Sequence, residues 1–237
     1  MDNQHLANLL DRHLSLDRPP VALAFVEDRP AGLADSGPLA PSACTFWRRA
    51  ETELFYADAT AHEECPVGMM TMGFEVPAAR AAEAEQLVGT MVELGYFNTT
   101  ELSHLPSVKQ PHSEIVYGPL ARFPLEPDVV LVQVSPAQAM VLAEASGSAA
   151  LAEQPGLAAM GRPACAAVAR AVEAAATTLS LGCIGARTYV ELPDDRALVI
   201  LPAADLERTA ERLPRLDEAN WTLAGYHAEK KARFERG

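Results

Sequence analysis

The chain reads as an α/β (or α+β) protein on three observations: short apolar runs bounded by prolines and acids, alanine-rich segments of helical character between them, and few aromatic residues. The runs have strand length, the alanine-rich segments favour helix, and the scarcity of aromatics disfavours a β-sandwich. Its 237 residues are 49% apolar, enough to bury a core without disulfides. The expected organisation is a single compact domain over 1–237, or two intimate halves at 15–118 and 119–226. Residues 227–237 would then form the end of a C-terminal helix or a tail.

The elements follow in order. His5, Leu6, Leu9, Leu10, His13 and Leu14 recur at helical spacing, predicting an amphipathic helix that Pro19-Pro20 terminates. Val21–Val26 predicts a strand, and the proline-rich stretch Arg29–Pro41 a loop. The proline-free, Ala/Glu/Leu-rich segment from Ala78 to Leu94 predicts a helix, with Gly95 at its C-terminal end. Ile115–Tyr117 and Val129–Val134 predict strands, and Ser135-Pro136 supplies the cap and first-turn proline of a helix over Ala137–Ala145. Beyond Pro163 we expect another alanine-rich helix. A strand pair, Tyr189–Leu192 and Ala197–Leu201, should follow around the Asp194-Asp195 turn, and then a helix from Pro202.

The two halves share a rhythm. Val76-Pro77-Ala78-Ala79 resembles Leu201-Pro202-Ala203-Ala204, and each follows two cysteines, with Gly68 or Gly185 close behind the second. An internal duplication would relate the halves by a pseudo-twofold axis and could bring a cysteine pair from each toward one centre. A common way of opening a helix would explain the likeness equally well.

A net charge of −13 weighs against nucleic acid as a partner, because phosphate binding needs a basic face. The basic stretch Lys230-Lys231-Ala232-Arg233, next to Glu229 and Glu235, reads as the solvated end of a helix. With no signal-like leader and no membrane-length apolar run, a cytoplasmic protein with no membrane partner is expected. Its partners would be a small-molecule substrate or a redox protein, with the alanine-rich helices offering a homodimer surface. No phosphate loop or dinucleotide fingerprint is found.

A reducing compartment makes Cys44, Cys65, Cys165 and Cys183 free thiols, metal ligands or redox groups rather than disulfides. Cys44 and Cys65 are 21 positions apart and Cys165 and Cys183 18 apart, so spacing excludes a short zinc ribbon or a bacterial ferredoxin run. Buried cysteine is commonly inert, but these have unusual neighbours. Pro66 and Gly68 follow Cys65, and Gly182 and Gly185 flank Cys183. Such glycines let the backbone approach closely and present N–H groups to sulfur. Cys165, just past Pro163, would stand in a first helical turn, where thiol pKa values fall. His62 could ligate a metal, although a lone histidine at an acidic helix start is more often a solvated cap. Arg48, Arg49, Arg162 and Arg187 could balance thiolate charge or hold an anionic substrate, against a reading as ordinary surface ion pairs. Trp47 and Phe46 should pack beneath Cys44, and Tyr117 and Tyr189 could offer phenol protons near a pocket.

Several segments in order resemble the family catalogued as domain of unknown function 169. They are Cys44-Thr45-Phe46-Trp47-Arg48-Arg49-Ala50, His62-Glu63-Glu64-Cys65-Pro66-Val67-Gly68, Tyr117-Gly118-Pro119-Leu120, Asp128-Val129-Val130-Leu131, Gly161-Arg162-Pro163-Ala164-Cys165 and Leu181-Gly182-Cys183-Ile184-Gly185-Ala186-Arg187. The resemblance runs from about Pro20 to Tyr226 and implies that all four cysteines hold family motif positions, but it brings no assigned reaction. Where it leads us to expect an Asp-His-Tyr-Asn-Cys type of segment, this chain has Ala61-His62-Glu63-Glu64-Cys65.

The leading expectation is an iron–sulfur protein in which Cys44, Cys65, Cys165 and Cys183 hold one cluster, most simply 4Fe–4S. It would be a redox or lyase-type enzyme acting on a small anionic molecule, with His62, Arg48, Arg162 and Arg187 around the cluster. The alternatives are a structural zinc scaffold on the same thiolates, a cysteine-ligated haem protein with Cys65 as axial ligand, and a metal-free thiol enzyme.

Overall fold

The structure is a computed structural model that describes residues 2–37, 40–95, 98–102, 104–148 and 163–236. Arg162, a candidate above, lies outside the described residues. A seven-stranded sheet forms the middle layer, in the order β2-β3-β4-β1-β5-β7-β6. Its strands are β1 (Val21–Val26), β2 (Ala34–Asp35), β3 (Phe55–Asp58), β4 (Glu114–Pro119), β5 (Val129–Val134), β6 (Thr178–Ser180) and β7 (Ala197–Pro202). All neighbours are antiparallel except β2 and β3, so the sheet is mixed.

One face carries α1 (Asn3–Leu14), α6 (Pro136–Ser146) and α9 (Ala203–Glu235), whose Leu6, Leu10, Leu142, Leu206 and Leu213 pack on Ala22, Val130 and Val199. The other face carries α2 (Cys44–Arg49), α3 (Pro66–Met72), α7 (Ala164–Ala174) and α8 (Ile184–Val190). There Leu23, Tyr117, Leu131 and Ile200 meet Phe46, Trp47, Met69 and Val168. The alternation along β1 and β5 is what divides the two cores: Leu23 and Leu131 point one way, Ala22 and Val130 the other. Helices α4 (Ala78–Glu93) and α5 (Thr99–Leu102) complete the first half, α4 with only Ala84 buried.

Several boundaries follow local chemistry. Asp2 caps α1 by accepting from the Gln4 N–H. The helix ends at Ser15, in the left-handed region with φ 51°, so it stops ahead of the Pro19-Pro20 pair expected to end it. Ser135 and Gln138 form a reciprocal capping box with Pro136 in the first turn of α6. Gly95 has φ +68°, as its place after α4 requires.

One expected element is wrong in type. Tyr189 and Val190 end α8, and the antiparallel partner on the outer side of β7 is β6, with Thr178 opposite Ile200 and Ser180 opposite Leu198. The Sγ of Cys183 accepts from the Ala186 N–H and starts a helix where apolar composition suggested a strand.

The strand order reads alike from both sides of the central β1–β5 pair, as β1-β4-β3 and β5-β7-β6. In sequence, the first half runs β1, the helix opened by Cys44, β3, the helix capped by Cys65, then β4. The second runs β5, then past α6 the helix carrying Cys165, β6, the helix capped by Cys183, and β7. The Pro-Ala-Ala openings compared above are not equivalent in this layout, because α4 precedes the last strand of its half and α9 follows it.

Candidate functional site

The fold gathers the four cysteines on one sheet face, each at the start of a helix. Cys44 is the first residue of α2, and its N–H donates to Ser42 Oγ at 3.3 Å. Cys65 is the N-cap of α3 with Pro66 next, and its carbonyl accepts from the Met69 N–H at 2.8 Å. Cys165 lies in the first turn of α7, as its place after Pro163 predicted. Cys183 is the N-cap of α8, receiving the Ala186 N–H at 3.4 Å. Cys44 and Cys165 are buried, Cys65 and Cys183 half-buried, and all four are free thiols.

Packing brings them together across the halves, with α2 against α8 and α3 against α7. The side chains of Cys44 and Cys183 act on each other, and this is the largest reason that the Cys44 pKa rises and that of Cys183 falls to about 6. The Ala186 and Gly185 N–H groups further favour the Cys183 thiolate. Cys165 is pushed up to about 12, first by burial and then by the neighbouring Cys65. A small cavity of about 10 Å³, with room for about one water molecule, lies between Cys44, Cys165, Trp47, Tyr117 and Leu23.

His62 is buried rather than solvated, contrary to its reading as a surface cap. The short 3₁₀ turn Thr60–His62 carries it inward against Phe46 and Phe74, at ring distances of 4.7 and 5.0 Å. Its Nδ1 lies 2.7 Å from the Asp58 carbonyl oxygen, which can only accept, so Nδ1 carries the hydrogen. The other nitrogen, Nε2, then accepts from the Tyr117 hydroxyl at 3.1 Å. Burial lowers the His62 pKa to about 4 and raises that of Tyr117, leaving both neutral. With both ring nitrogens engaged, His62 fixes Tyr117 beside the thiols.

The arginines hold the site's frame. Arg48 reaches from α2 to Glu51, to Gln133 of β5 and to the Val190 carbonyl at the end of α8, and it lies over the Trp47 ring. Arg187 donates to the carbonyls of Leu181, Leu192 and Pro193, clasping the segments on either side of α8. Arg49 pairs with Glu53, binds the Ser36 carbonyl and stacks on Phe55. These guanidinium groups are therefore committed to protein partners. Tyr189 is half exposed on α8.

Two features bear on whether a cofactor suits this centre. Gly68 leaves room that any side chain would fill: a Cβ there would stand 2.8 Å from the Ala43 Cβ and 2.9 Å from the Cys65 Sγ. Trp47, one of the cavity-lining residues, has its indole N–H buried without a hydrogen-bond partner. Among the described residues, no three or more His, Cys, Asp or Glu side chains are grouped so as to hold a single metal ion. Electrostatically the thiols act on one another as a group: Cys183 and Cys165 on Cys44, and Cys65 and Cys183 on Cys165. Sequence reasoning missed the His62–Tyr117 pair and the unpaired Trp47 N–H. The Cys-Pro-x-Gly and Gly-Cys-x-Gly surroundings were its usable signals.

A family model for domain of unknown function 169, described as uncharacterised ArCR, matches residues 9–212, and the chain belongs to that family. No curated protein and no solved structure matches it. No helix among the described residues is long and apolar enough to cross a membrane.

Proposed function

We propose, for this member of a family without an assigned reaction, that Cys44, Cys65, Cys165 and Cys183 hold an iron–sulfur cluster, most simply 4Fe–4S, at the join of two similar halves. The observation that carries the reading is the meeting of four helix-start thiols, drawn from distant sequence positions, on one face of the sheet. The donor set is all thiolate, which suits iron and sulfide. A cluster spaces its thiolates through bridging sulfide, so it does not call for the tight cage that one zinc ion needs. When bound, such a group supplies one-electron transfer, or a Lewis-acid iron if a thiolate is released.

The chain's own residues would do the rest. The Ala186 N–H at Cys183 and the unpaired Trp47 N–H offer donors that offset negative charge on sulfur. Leu23, Leu131 and Val168 keep the inner wall apolar, and Tyr117, its hydroxyl held by His62, lines the same wall. The function would be electron exchange with a redox partner, or a redox or lyase reaction on a small anionic molecule. The committed arginines would then hold the frame rather than the substrate.

A second reading rests on the place of Cys183 at the start of α8, where its Sγ accepts the Ala186 N–H and the packing of α2 on α8 brings Cys44 to it. Cys183 as a thiolate with Cys44 as its proton donor is the pattern of a nucleophilic thiol, which needs no metal.

The test is anaerobic purification followed by visible absorption and iron, zinc and acid-labile sulfide content. Broad visible absorption with iron and sulfide, lost in each Cys→Ser variant, supports the cluster. Colourless protein with one zinc makes the centre a structural zinc site, and a sharp Soret band makes it haem. Metal-free protein in which alkylation of Cys183 alone is fast moves the assignment to thiol chemistry.

A further inference from the structure

Helix α9 runs 33 residues, yet its buried residues, Asp205, Leu206, Thr209 and Leu213, all lie in its first third. From Trp221 to Lys231 every residue is exposed, and 218–235 extends for about 27 Å at the helical rise. A helix of this length with no packed face is marginal in water, because most helical stability comes from tertiary burial. The overhang nonetheless carries large apolar side chains, with Trp221 81% and Phe234 79% exposed. It lies beyond residue 212, where the family match stops.

Its sequence indicates what would cover it. Trp221, Gly225, Ala228 and Ala232 are spaced four, three and four apart, which places them on one stripe of the helix. Glycine inside a helix costs about 1 kcal/mol relative to alanine. Nothing in the protein lies within 4 Å of a Cβ built on Gly225, so no internal contact requires it. A second helix crossing closely at that point would.

Charge sets the direction. Acidic Asp217 and Glu218 precede the stripe and basic Lys231 and Arg233 lie at its far end; within the protein Asp217 pairs with His13 and Lys231 with Glu235, which leaves Glu218 and Arg233 for a partner. Parallel pairing would set each group beside its own copy. Antiparallel pairing about a twofold at Gly225 sets Glu218 level with the partner's Ala232 and so one residue from the partner's Arg233 on the same flank, a contact occurring twice, while Asp217 stays with His13 of its own chain. The same register seats each Trp221 on the small surface of the partner's Ala228 and Ala232.

We infer that the α9 overhang is a dimerisation arm that pairs antiparallel with the same helix of a second copy, crossing at Gly225. The inference is independent of the cysteine centre, which lies on the opposite sheet face.

The experiment is sedimentation equilibrium of the full-length protein across a concentration series. A dimer is expected, with Trp221→Glu and Gly225→Leu each giving monomer while the urea midpoint of the folded body stays unchanged. Glu218→Arg should weaken the dimer by about tenfold, since symmetry doubles each lost pair, and adding Arg233→Glu should restore it. A wild-type monomer, or a dimer that survives both Trp221→Glu and Gly225→Leu, overturns the inference. A dimer that ignores the charge exchange overturns the antiparallel register.

Discussion

Acid should destabilise this protein through one buried imidazole, His62, before carboxylate titration begins to dominate. Its folded pKa of about 4 lies below the ordinary 6.5, because burial outweighs the help of the Asp58 carbonyl. The unfolded chain therefore takes up a proton that the folded chain refuses. Stability is unaffected above about pH 6.5, falls as pH drops from there toward 4, and then levels off. The difference between the two pKa values gives a loss of roughly 2–3 kcal/mol between pH 7.5 and 4.5, a large part of a domain's stability. The charged or titratable neighbours are Asp58, His112 across Phe74, and Tyr117. The assay is urea unfolding at pH 7.5, 5.5 and 4.5 for the wild type and for His62→Gln, whose amide can still donate to the Asp58 carbonyl. The variant should start less stable yet lose roughly 2–3 kcal/mol less over the same interval. Equal losses in both proteins would mean that His62 is protonated in the fold, and its assignment as the acceptor for Tyr117 would fail.

Three further outcomes can be checked by the same unfolding measurements. Gly68→Ala forces a Cβ to within 2.9 Å of the Cys65 Sγ and should cost about 1–3 kcal/mol, together with a changed alkylation rate at Cys65; an unchanged rate would show that the close approach is not functional. Asp205→Ala strips the acceptor from the Thr177 N–H, the Thr177 hydroxyl and the Ser148 hydroxyl, and should cost about 3 kcal/mol, with Thr177→Val costing less. Arg187→Ala leaves the carbonyls of Leu181, Leu192 and Pro193 without their donor and should lower stability by about 1–3 kcal/mol while speeding alkylation of Cys183; a stability loss without the reactivity change would limit Arg187 to the frame.

The central strands were legible because they are buried on both faces, and a strand of that kind is a continuous apolar run, as Val129–Val134 is. Caps were legible where the side chain itself makes the bond, as Ser135 does. The short elements were not. Helix α2 is six residues long and β3 four, too few for either period to declare itself, and both are held by packing rather than propensity. His62 was misjudged because Glu63 and Glu64 beside it belong to solvent, while the 3₁₀ turn points His62 inward. Segment 189–192 was misjudged because Tyr189 and Val190 by themselves favour strand, whereas the cap at Cys183 starts a helix that runs through both. Convergence of the cysteines could not be read from spacings of 21 and 18, since it arises from the antiparallel meeting of β1 and β5.

That meeting also determines which thiols become partners. If each half closed on itself, Cys44 would face Cys65, and Cys165 would face Cys183. Instead α2 packs on α8 and α3 on α7, so the thiol that acts most on Cys44 is Cys183 and the one that acts most on Cys165 is Cys65, both across the join. A cofactor shared by all four thiols, or a bond between Cys44 and Cys183 or between Cys65 and Cys165, therefore links the first half to the second. Only three hydrogen-bonded registers, Val21–Leu131, Ala22–Val130 and Leu23–Val129, join β1 to β5, so the sheet is least extensively paired there, apart from its short edge strands. A link at the centre acts across that seam, and occupancy of the site and cohesion of the two halves should change together.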